Sequence, residues 1–248
     1  MNHIAIPARS VNSDRPYTCT GLGDRIHTVT IGWAYSQVHG PTTLHLTRDK
    51  LTGGQFGNKP ESWQEVWNLF PGGYVSLQTH DCSPNTEAEW LRYLGNGVES
   101  YCYYDYPGKF ESREGFDVSK YLKRIPLLTA EPKELDLPRW FVTVQFDAGG
   151  KSRCLPTADR LAVVEQYTRR GYTPVVIGGE AQGKLQWSLP HIAYALSKAA
   201  HHVGVDSAFL HMAQLYMPCD AIHLYSKGSM SHHAKRAVDN GARLNVYS

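Results

Sequence analysis

Short apolar runs alternate with longer runs of mixed polarity along the whole chain. The clearest apolar runs are TTLHLT (42–47), WFVTVQF (140–146) and AIHLYS (221–226), and their length and composition are typical of strands. Between such runs, apolar residues recur at spacings of three and four, as Ile26 and Val29 do, which predicts helices. Because strands and helices alternate, the sequence predicts an α/β fold with parallel sheets covered by helices on both faces.

Glycine and proline residues mark the ends of most predicted elements, because they interrupt regular structure. In the tetrapeptide SWQE (62–65), Ser62 and Glu65 are predicted to form a capping box at a helix start. In the first half of the chain, strands are expected at 17–20, 42–47, 74–80 and 98–104, and helices at 24–39, 62–69 and 83–95. In the second half, strands are expected at 140–146, 173–179, 203–206 and 221–226, and helices at 157–170, 188–202 and 207–217.

The stretch PLLTAEPKELDLP (126–138) contains three prolines, and the strand–helix alternation restarts after it. Such a stretch is typical of a domain boundary. The predicted organisation is therefore two Rossmann-like domains, residues 1–130 and 131–248, that face each other across a cleft.

Composition excludes several classes of function. The formal net charge of the 248 residues is +2, so no field of the whole protein draws it to nucleic acid or membrane. The chain has no apolar run of the length that a membrane span needs, and its start lacks the apolar core of a signal peptide. Its five cysteines have no metal-binding spacing. We expect a cytoplasmic protein.

Four stretches follow predicted strands at the point where parallel α/β sheets bind their ligands. They are GLGD (21–24), DAGGKSRCLP (147–156), IGGEAQG (177–183) and VGVDSAFLH (203–211). In the last of them, Asp206 and Ser207 open a helix, where backbone N–H groups attract phosphate, and His211 lies one turn further on the same side. The structural alternative is that Asp206 only caps the helix and that His211 belongs to the core.

The other three stretches offer charged side chains beside glycines. Lys151 and Arg153 suit a pyrophosphate, although a solvated loop has the same composition. Glu180, after Gly179, suits a ribose diol, although a surface turn would look the same. Asp24 is either a helix cap or a group that takes up a proton.

These stretches, in this order, resemble the bacterial heptosyltransferases of glycosyltransferase family 9, which have the two-domain GT-B fold. GDRIHTV (23–29) resembles the family's GD-x-x-H-T-x-P turn, and VVIGGE (175–180) resembles a shortened form of its nucleotide-binding strand. Residues 188–226 resemble the longest signature, centred on G-x-D-S-G-x-x-H-x-A. The chain departs from the pattern at Ala208, where the family has glycine, and at RCLP (153–156), where it has K-x-W-P. Its short length suggests a compact relative, such as those encoded by phages.

The resemblance implies a role for each matched residue. Asp24, in the same turn as Gly23, would be the catalytic base, and Glu180 would hold the ribose of the nucleotide. The diphosphate would be surrounded by Arg153, Asp206, Ser207, the Ala208 amide and His211.

These roles describe an inverting glycosyltransferase that moves a sugar from a nucleotide-sugar donor to an acceptor hydroxyl. The acceptor would bind to domain 1–130 and the donor to domain 131–248. A carboxylate takes the acceptor proton, and a guanidinium with helix N–H groups stabilises the leaving diphosphate, so no cofactor and no metal are expected. The acceptor would be a glycan or a hydroxymethylated DNA base. Two alternatives remain open: a non-catalytic module that binds nucleotide sugars, and a nucleotide-sugar epimerase.

The chain has 12 histidines, and two pairs, His201–His202 and His232–His233, suggest a metal site. Adjacent histidines point to different faces of a helix, so neither pair is expected to chelate. The basic tail, residues 226–248, is expected to be a solvated helix face or to contact a phosphate-bearing substrate.

Overall fold

The computed structural model describes residues 1–6, 22–47, 60–80, 87–100, 109–122, 125, 127, 135–148, 151–178, 180–181, 184–185, 187–228 and 230–247. The chain falls into two compact units, Met1–Tyr121 and Leu122–Ser248. Each unit has a parallel sheet of its own. The division lies a few residues before the proline-rich stretch, and the assignment of acceptor and donor roles to the two halves stays a prediction.

The first unit is built on a four-stranded sheet with the order β3-β2-β1-β4. Its strands are β1 (Asn2–Ile6), β2 (Thr42–Thr47), β3 (Val75–His80) and β4 (Val98–Ser100). Its helices are α1 (Leu22–His39), α2 (Pro60–Trp67), α3 (Glu87–Leu94) and α4 (Lys109–Glu114). Helix α1 packs closely on the sheet because Gly32 has no side chain, and a Cβ there would lie 2.8 Å from the Leu44 side chain.

The second unit contains a five-stranded sheet with the order β11-β10-β9-β5-β6 and a separate two-stranded antiparallel pair. The sheet strands are β5 (Phe141–Gln145), β6 (Thr173–Val176), β9 (His201–Val205), β10 (Ile222–Ser226) and β11 (Arg243–Val246), and the pair is β7 (Glu180–Ala181) with β8 (Lys184–Leu185). The helices are α5 (Thr157–Arg169), α6 (Leu189–Lys198), α7 (Ala208–Tyr216) and α8 (His232–Asp239).

The core of the second unit forms where central strands meet α5. Val142 and Val144 of β5 and Val203 and Val205 of β9 pack in one cluster with Tyr167 of α5, whose side chain is fully buried. Valine suits these alternate, buried strand positions because its β-branched side chain packs well on a pleated sheet. The same strands end at the edge that carries the candidate site.

The predicted α/β architecture with two parallel sheets is confirmed, and most predicted elements appear within a residue or two of their expected bounds. The predicted capping box is wrong: α2 already includes Pro60, so Ser62 lies inside the helix. Proline suits the first turn of a helix because its φ is already helical and its missing N–H has no partner there. The predicted strand at 17–20 lies outside the described residues.

Two further predictions are wrong in the second unit. The helix predicted to end at residue 202 ends at Lys198, and His201 and His202 begin strand β9, where they pair with β5. Residues 226–248 do not form only a helix. They also contain β11, which pairs with β10 as an edge strand of the sheet. In both places, pairing with a strand distant in sequence decides the local structure. None of the helices described in the structure is long and apolar enough to cross a membrane.

Candidate functional site

The carboxyl end of the second sheet carries most of the predicted binding residues. β5 and β9 are neighbours, so Gln145 at the end of β5 lies close to the turn that follows β9. That turn consists of Asp206 and Ser207 and leads directly into α7. The structure therefore places the turn at the edge where parallel α/β sheets bind their ligands.

Ser207 is the N-cap of α7, and both hydrogen-bonding functions of its hydroxyl are used within the protein. The oxygen accepts from the Phe209 amide at 3.3 Å, and the hydroxyl donates to the Gln145 amide oxygen at 2.8 Å. Gln145 in turn donates to the Asp147 carbonyl. The hydrogen bond to Gln145 thus fixes the turn before α7 to the end of β5. The Ser207 hydroxyl is directed toward the protein.

Asp206 does not cap α7, so the alternative in which this residue is only a helix cap is wrong. Its carboxylate accepts from the Ser231 amide at 2.8 Å and from the Ser231 hydroxyl at 3.1 Å. Ser231 is itself the N-cap of α8, where its oxygen also accepts from Ala234. Asp206 therefore joins the start of α7 to the start of α8.

Arg153 reaches the same turn from the loop after β5. Its Nη1 donates to the Asp206 carbonyl at 2.9 Å and lies 3.8 Å from the Asp206 carboxylate. The loop is held in place by the Leu155 amide, which donates to the Phe146 carbonyl at 2.8 Å, and by an Asp147–Arg160 ion pair. One guanidinium thus lies beside the N-terminus of α7, where the helix leaves its first amides without intrahelical partners.

His211 and Gly178 complete the surroundings of α7. His211 is buried, and its ring lies edge-on against His233 of α8, with 5.4 Å between ring centroids. Gly178 has φ +70°, and a Cβ at that position would lie 2.2 Å from the Phe209 ring. Only glycine allows the loop after β6 to approach α7 so closely.

The remaining predicted residues are Gly23, Asp24, Lys151, Gly179 and Glu180. Gly23 and Asp24 are the second and third residues of α1 in the first unit, so Asp24 lies within the first helical turn rather than at the N-cap. The pKa of Arg25 is lowered by burial, while the carboxylates of Asp24 and Glu65 act in the opposite direction. Lys151 begins a 3-10 turn and Glu180 begins β7, but the structure describes only the backbone of these two residues. Gly179 lies outside the described residues.

Sequence analysis missed two residues of the network, Gln145 and Ser231. Gln145 gave a weak signal, because it is a polar residue near the end of the otherwise apolar run WFVTVQF. Ser231 precedes an amphipathic run and has the residue type of an N-cap. Among the described residues, no group of three histidine, cysteine or acidic side chains is arranged to hold a metal ion.

No family model and no curated protein sequence matches the chain. Solved structures do match it. A glycosyltransferase of family 9 from Veillonella parvula DSM 2008 superposes with a TM-score of 0.54 at 12% identity, over 99% of this chain and 85% of that one. The iron-containing dodecameric glycosyltransferase TibC from enterotoxigenic E. coli H10407 superposes with a TM-score of 0.50 at 15% identity, over 98% of this chain. This chain spans 60% of the TibC chain. The chain therefore shares its fold with these glycosyltransferases, one of which belongs to family 9.

Proposed function

We propose that this protein is an inverting glycosyltransferase that moves a sugar from a nucleotide-sugar donor to an acceptor hydroxyl. The observation that carries the proposal is the junction of Arg153, Asp206 and Ser207 at the N-terminus of α7. It occurs at the ligand-binding edge of a sheet in a chain with a glycosyltransferase fold.

The diphosphate of the donor would bind at the start of α7. Because the Ser207 hydroxyl and the Asp206 carboxylate are both engaged within the protein, the groups left for the ligand are the first amides of α7, among them that of Ala208, and the remaining N–H groups of Arg153. These groups stabilise the negative charge that the nucleoside diphosphate gains as it leaves. In this proposal Asp206 and Ser207 position the turn, and Glu180 would hold the ribose.

Asp24 would be the catalytic base. Its carboxylate takes the proton of the acceptor hydroxyl as the oxygen attacks the anomeric carbon, and the bond between that carbon and the diphosphate oxygen breaks. The bonding electron pair leaves with the nucleoside diphosphate. One direct displacement inverts the anomeric configuration. The helix dipole at the start of α1 favours the carboxylate form of Asp24 before the reaction.

No step of this mechanism passes through a metal ion. TibC is iron-containing, so the proposal differs from TibC in this respect. Turnover by the proposed mechanism should survive chelators. The acceptor would be a glycan or a hydroxymethylated DNA base, and both classes belong in the acceptor screen.

Donor binding is tested by adding UDP-, GDP-, ADP- and CMP-linked sugars in turn and measuring the melting temperature of the protein. A ligand that binds only the folded state raises that temperature. One donor should stabilise the wild type and Asp24→Asn but not Arg153→Ala. With that donor and the acceptor panel, Asp24→Asn should lose turnover by at least about a hundredfold. Asp159→Asn is the matched control, since Asp159 occupies the first turn of α5 as Asp24 does that of α1.

The possible results separate the candidate functions. Donor binding with no product from any acceptor would favour a non-catalytic binding module. A changed sugar released from the donor alone would identify an epimerase. No stabilisation by any donor would contradict the proposal.

A further inference from the structure

A cluster of histidine, tyrosine and arginine side chains lies at the amino end of the second sheet, the opposite end from the candidate donor site. It consists of Tyr167 and Arg170 at the end of α5, His201 at the start of β9, His223 on β10 and Arg243 at the start of β11. We call it the amino-end cluster. The proposed glycosyl transfer uses none of these residues.

The register of the strands brings the cluster together. His223 and Arg243 are paired residues of neighbouring parallel strands, so their side chains project side by side from the same face of the sheet. His201 is on that face too, with 5.0 Å between its ring centroid and that of His223. The Tyr167 hydroxyl lies 2.6 Å from Nδ1 of His223, and the Arg170 guanidinium lies 5.5 Å from the centre of the Tyr167 ring.

Two guanidinium groups of the cluster have no anionic partner within the described part of the chain. Neither Arg170 nor Arg243 forms an ion pair or a side-chain hydrogen bond there, whereas the preceding residue Arg169 is paired with Glu165. Both arginines are exposed, so a ligand can reach them from solvent. Both positive charges act on the rings of His201 and His223, and an anion bound beside those rings would offset them.

The two imidazoles also have unused hydrogen-bonding capacity. Nε2 of His223 and Nδ1 of His201 are buried and have no hydrogen-bond partner among the described residues. A buried polar atom without a partner is destabilising, because it has given up its hydrogen bonds to water and gained none in return. Such atoms are uncommon in native proteins, because a bound ion or an ordered water commonly satisfies them.

The electrostatics of the histidines agree with this geometry. Burial lowers the pKa of His223 to about 4, and the charges of His201, Arg243 and Arg170 act in the same direction. Burial also lowers the pKa of His201, with the same two arginines acting in that direction and with the Ala221 carbonyl and Asp220 opposing it. The neighbouring Tyr172 contacts the His201 ring edge-on, and burial raises the pKa of Tyr225. The carboxylate of Asp220 raises the pKa of His201.

We propose that the amino-end cluster binds a phosphate-type oxyanion between Arg170 and Arg243, next to His223 and His201. Guanidinium groups suit this ligand because they present two parallel N–H donors to a pair of phosphate oxygens. The site is separate from the candidate donor site and does not depend on the proposed function.

Inorganic phosphate is the probe, at an ionic strength held constant with sodium chloride. Phosphate should raise the melting temperature of the wild type and shift the ring resonances of His201 and His223, with higher imidazole pKa values because the anion offsets the arginine charges. Arg170→Ala/Arg243→Ala should weaken phosphate binding at least about tenfold and remove the shift of the histidine resonances. Because both arginines are exposed, their replacement should leave the fold intact. Circular dichroism checks that the double variant is folded.

Two controls locate the effect. Arg169→Ala removes a neighbouring arginine that is already paired, and Arg153→Ala removes the guanidinium of the candidate donor site. Both variants should keep the phosphate response of His201 and His223. A sugar monophosphate used in place of phosphate shows whether the site prefers esterified or free phosphate, and tighter binding of either one supports the proposal.

The proposal is overturned if sodium chloride alone reproduces the effect of phosphate at equal ionic strength. It is also overturned if the double variant responds like the wild type, or if Arg153→Ala abolishes the response of the two histidines.

Discussion

His202 is a fully buried imidazole on β9 with one ring nitrogen, Nδ1, 3.1 Å from the Thr143 hydroxyl. Its other nitrogen, Nε2, has no hydrogen-bond partner among the described residues, and a Cβ on Gly204 would lie 2.9 Å from it. Burial lowers the pKa of His202 to about 3, and His223 adds to the effect. The folded protein therefore keeps this imidazole neutral under conditions in which the unfolded chain takes up a proton.

This lowered pKa predicts sensitivity to acid. Between the ordinary pKa of 6.5 and about 3, the unfolded state binds a proton that the native state does not, so stability falls as the pH falls. The expected contribution of His202 is about 1.4 kcal/mol for each pH unit below 6.5. His202→Asn, which can still bond to Thr143, should reduce the slope of unfolding free energy against pH by that amount.

Urea titrations at several pH values measure the slope. Well above the ordinary histidine pKa the imidazole is neutral in both states, so the difference between wild type and variant should there be constant. Equal slopes for the two proteins between about pH 6 and pH 4 would contradict the prediction.

Gln145 and Ser207 are 62 positions apart in the sequence and share one buried hydrogen bond. Gln145→Leu and Ser207→Ala should each cost about 1–2 kcal/mol of unfolding free energy. Together they should cost about 1 kcal/mol less than the sum, because each removes the same bond. Gln214 is the matched control: it is also buried but donates to the Leu210 carbonyl of its own helix, so Gln214→Leu should add to Ser207→Ala.

The same cycle tests how Gln145 acts on donor binding. If Gln145 acts through Ser207, then Gln145→Leu weakens binding of the stabilising nucleotide sugar in the wild type and has no further effect in Ser207→Ala. A full additional loss in that background would show that Gln145 contacts the ligand itself.

At the scale of elements, the starts of α7 and α8 are joined through Asp206 and Ser231. Ser231→Ala removes the N-cap of α8 and one of the two hydrogen bonds that the buried Asp206 carboxylate accepts from Ser231. The expected cost is about 1 kcal/mol for the cap and about 1–3 kcal/mol for the carboxylate. Ser188→Ala, at the N-cap of α6, should cost only the first amount. Chemical denaturation compares them, and equal costs would contradict the proposed link.

Gly178 controls how closely the loop after β6 approaches α7. Gly178→Ala should cost about 1–2 kcal/mol for its positive φ and about 1–3 kcal/mol more because the methyl group overlaps the Phe209 ring. Gly171→Ala is the matched control, since Gly171 has φ +84° but no atom of the described residues lies within 4 Å of the position its Cβ would take. The prediction fails if the two variants have equal stability.

At the scale of the whole molecule, each compact unit has a sheet and a set of buried apolar residues of its own. A unit with its own core is expected to fold alone. Residues 122–248, produced separately, should show an α/β circular dichroism spectrum and a cooperative thermal transition. They should also keep the phosphate response of the amino-end cluster, because all of its residues belong to this unit. A fragment without a cooperative transition would show that folding requires residues 1–121.

Local pattern was sufficient for the order and type of most elements. Strands such as β2 and β10, and helices α1 and α5, follow from apolar periodicity and from the residues that end each run, because these effects act over a few neighbouring positions. The same pattern placed Asp206 and Ser207 between β9 and α7, so the sequence alone identified this turn as a candidate site.

Tertiary structure decided what the side chains of that site contact. The partner of Ser207 lies 62 positions away, that of Asp206 lies 25 positions away, and Arg243 joins His223 only through the pairing of β10 with β11. Strand pairing also places His201 and His202 at the start of β9, where the sequence pattern predicted the end of a helix. Contacts between distant positions depend on which strands become neighbours, and the periodicity of a single segment carries no information about its neighbours.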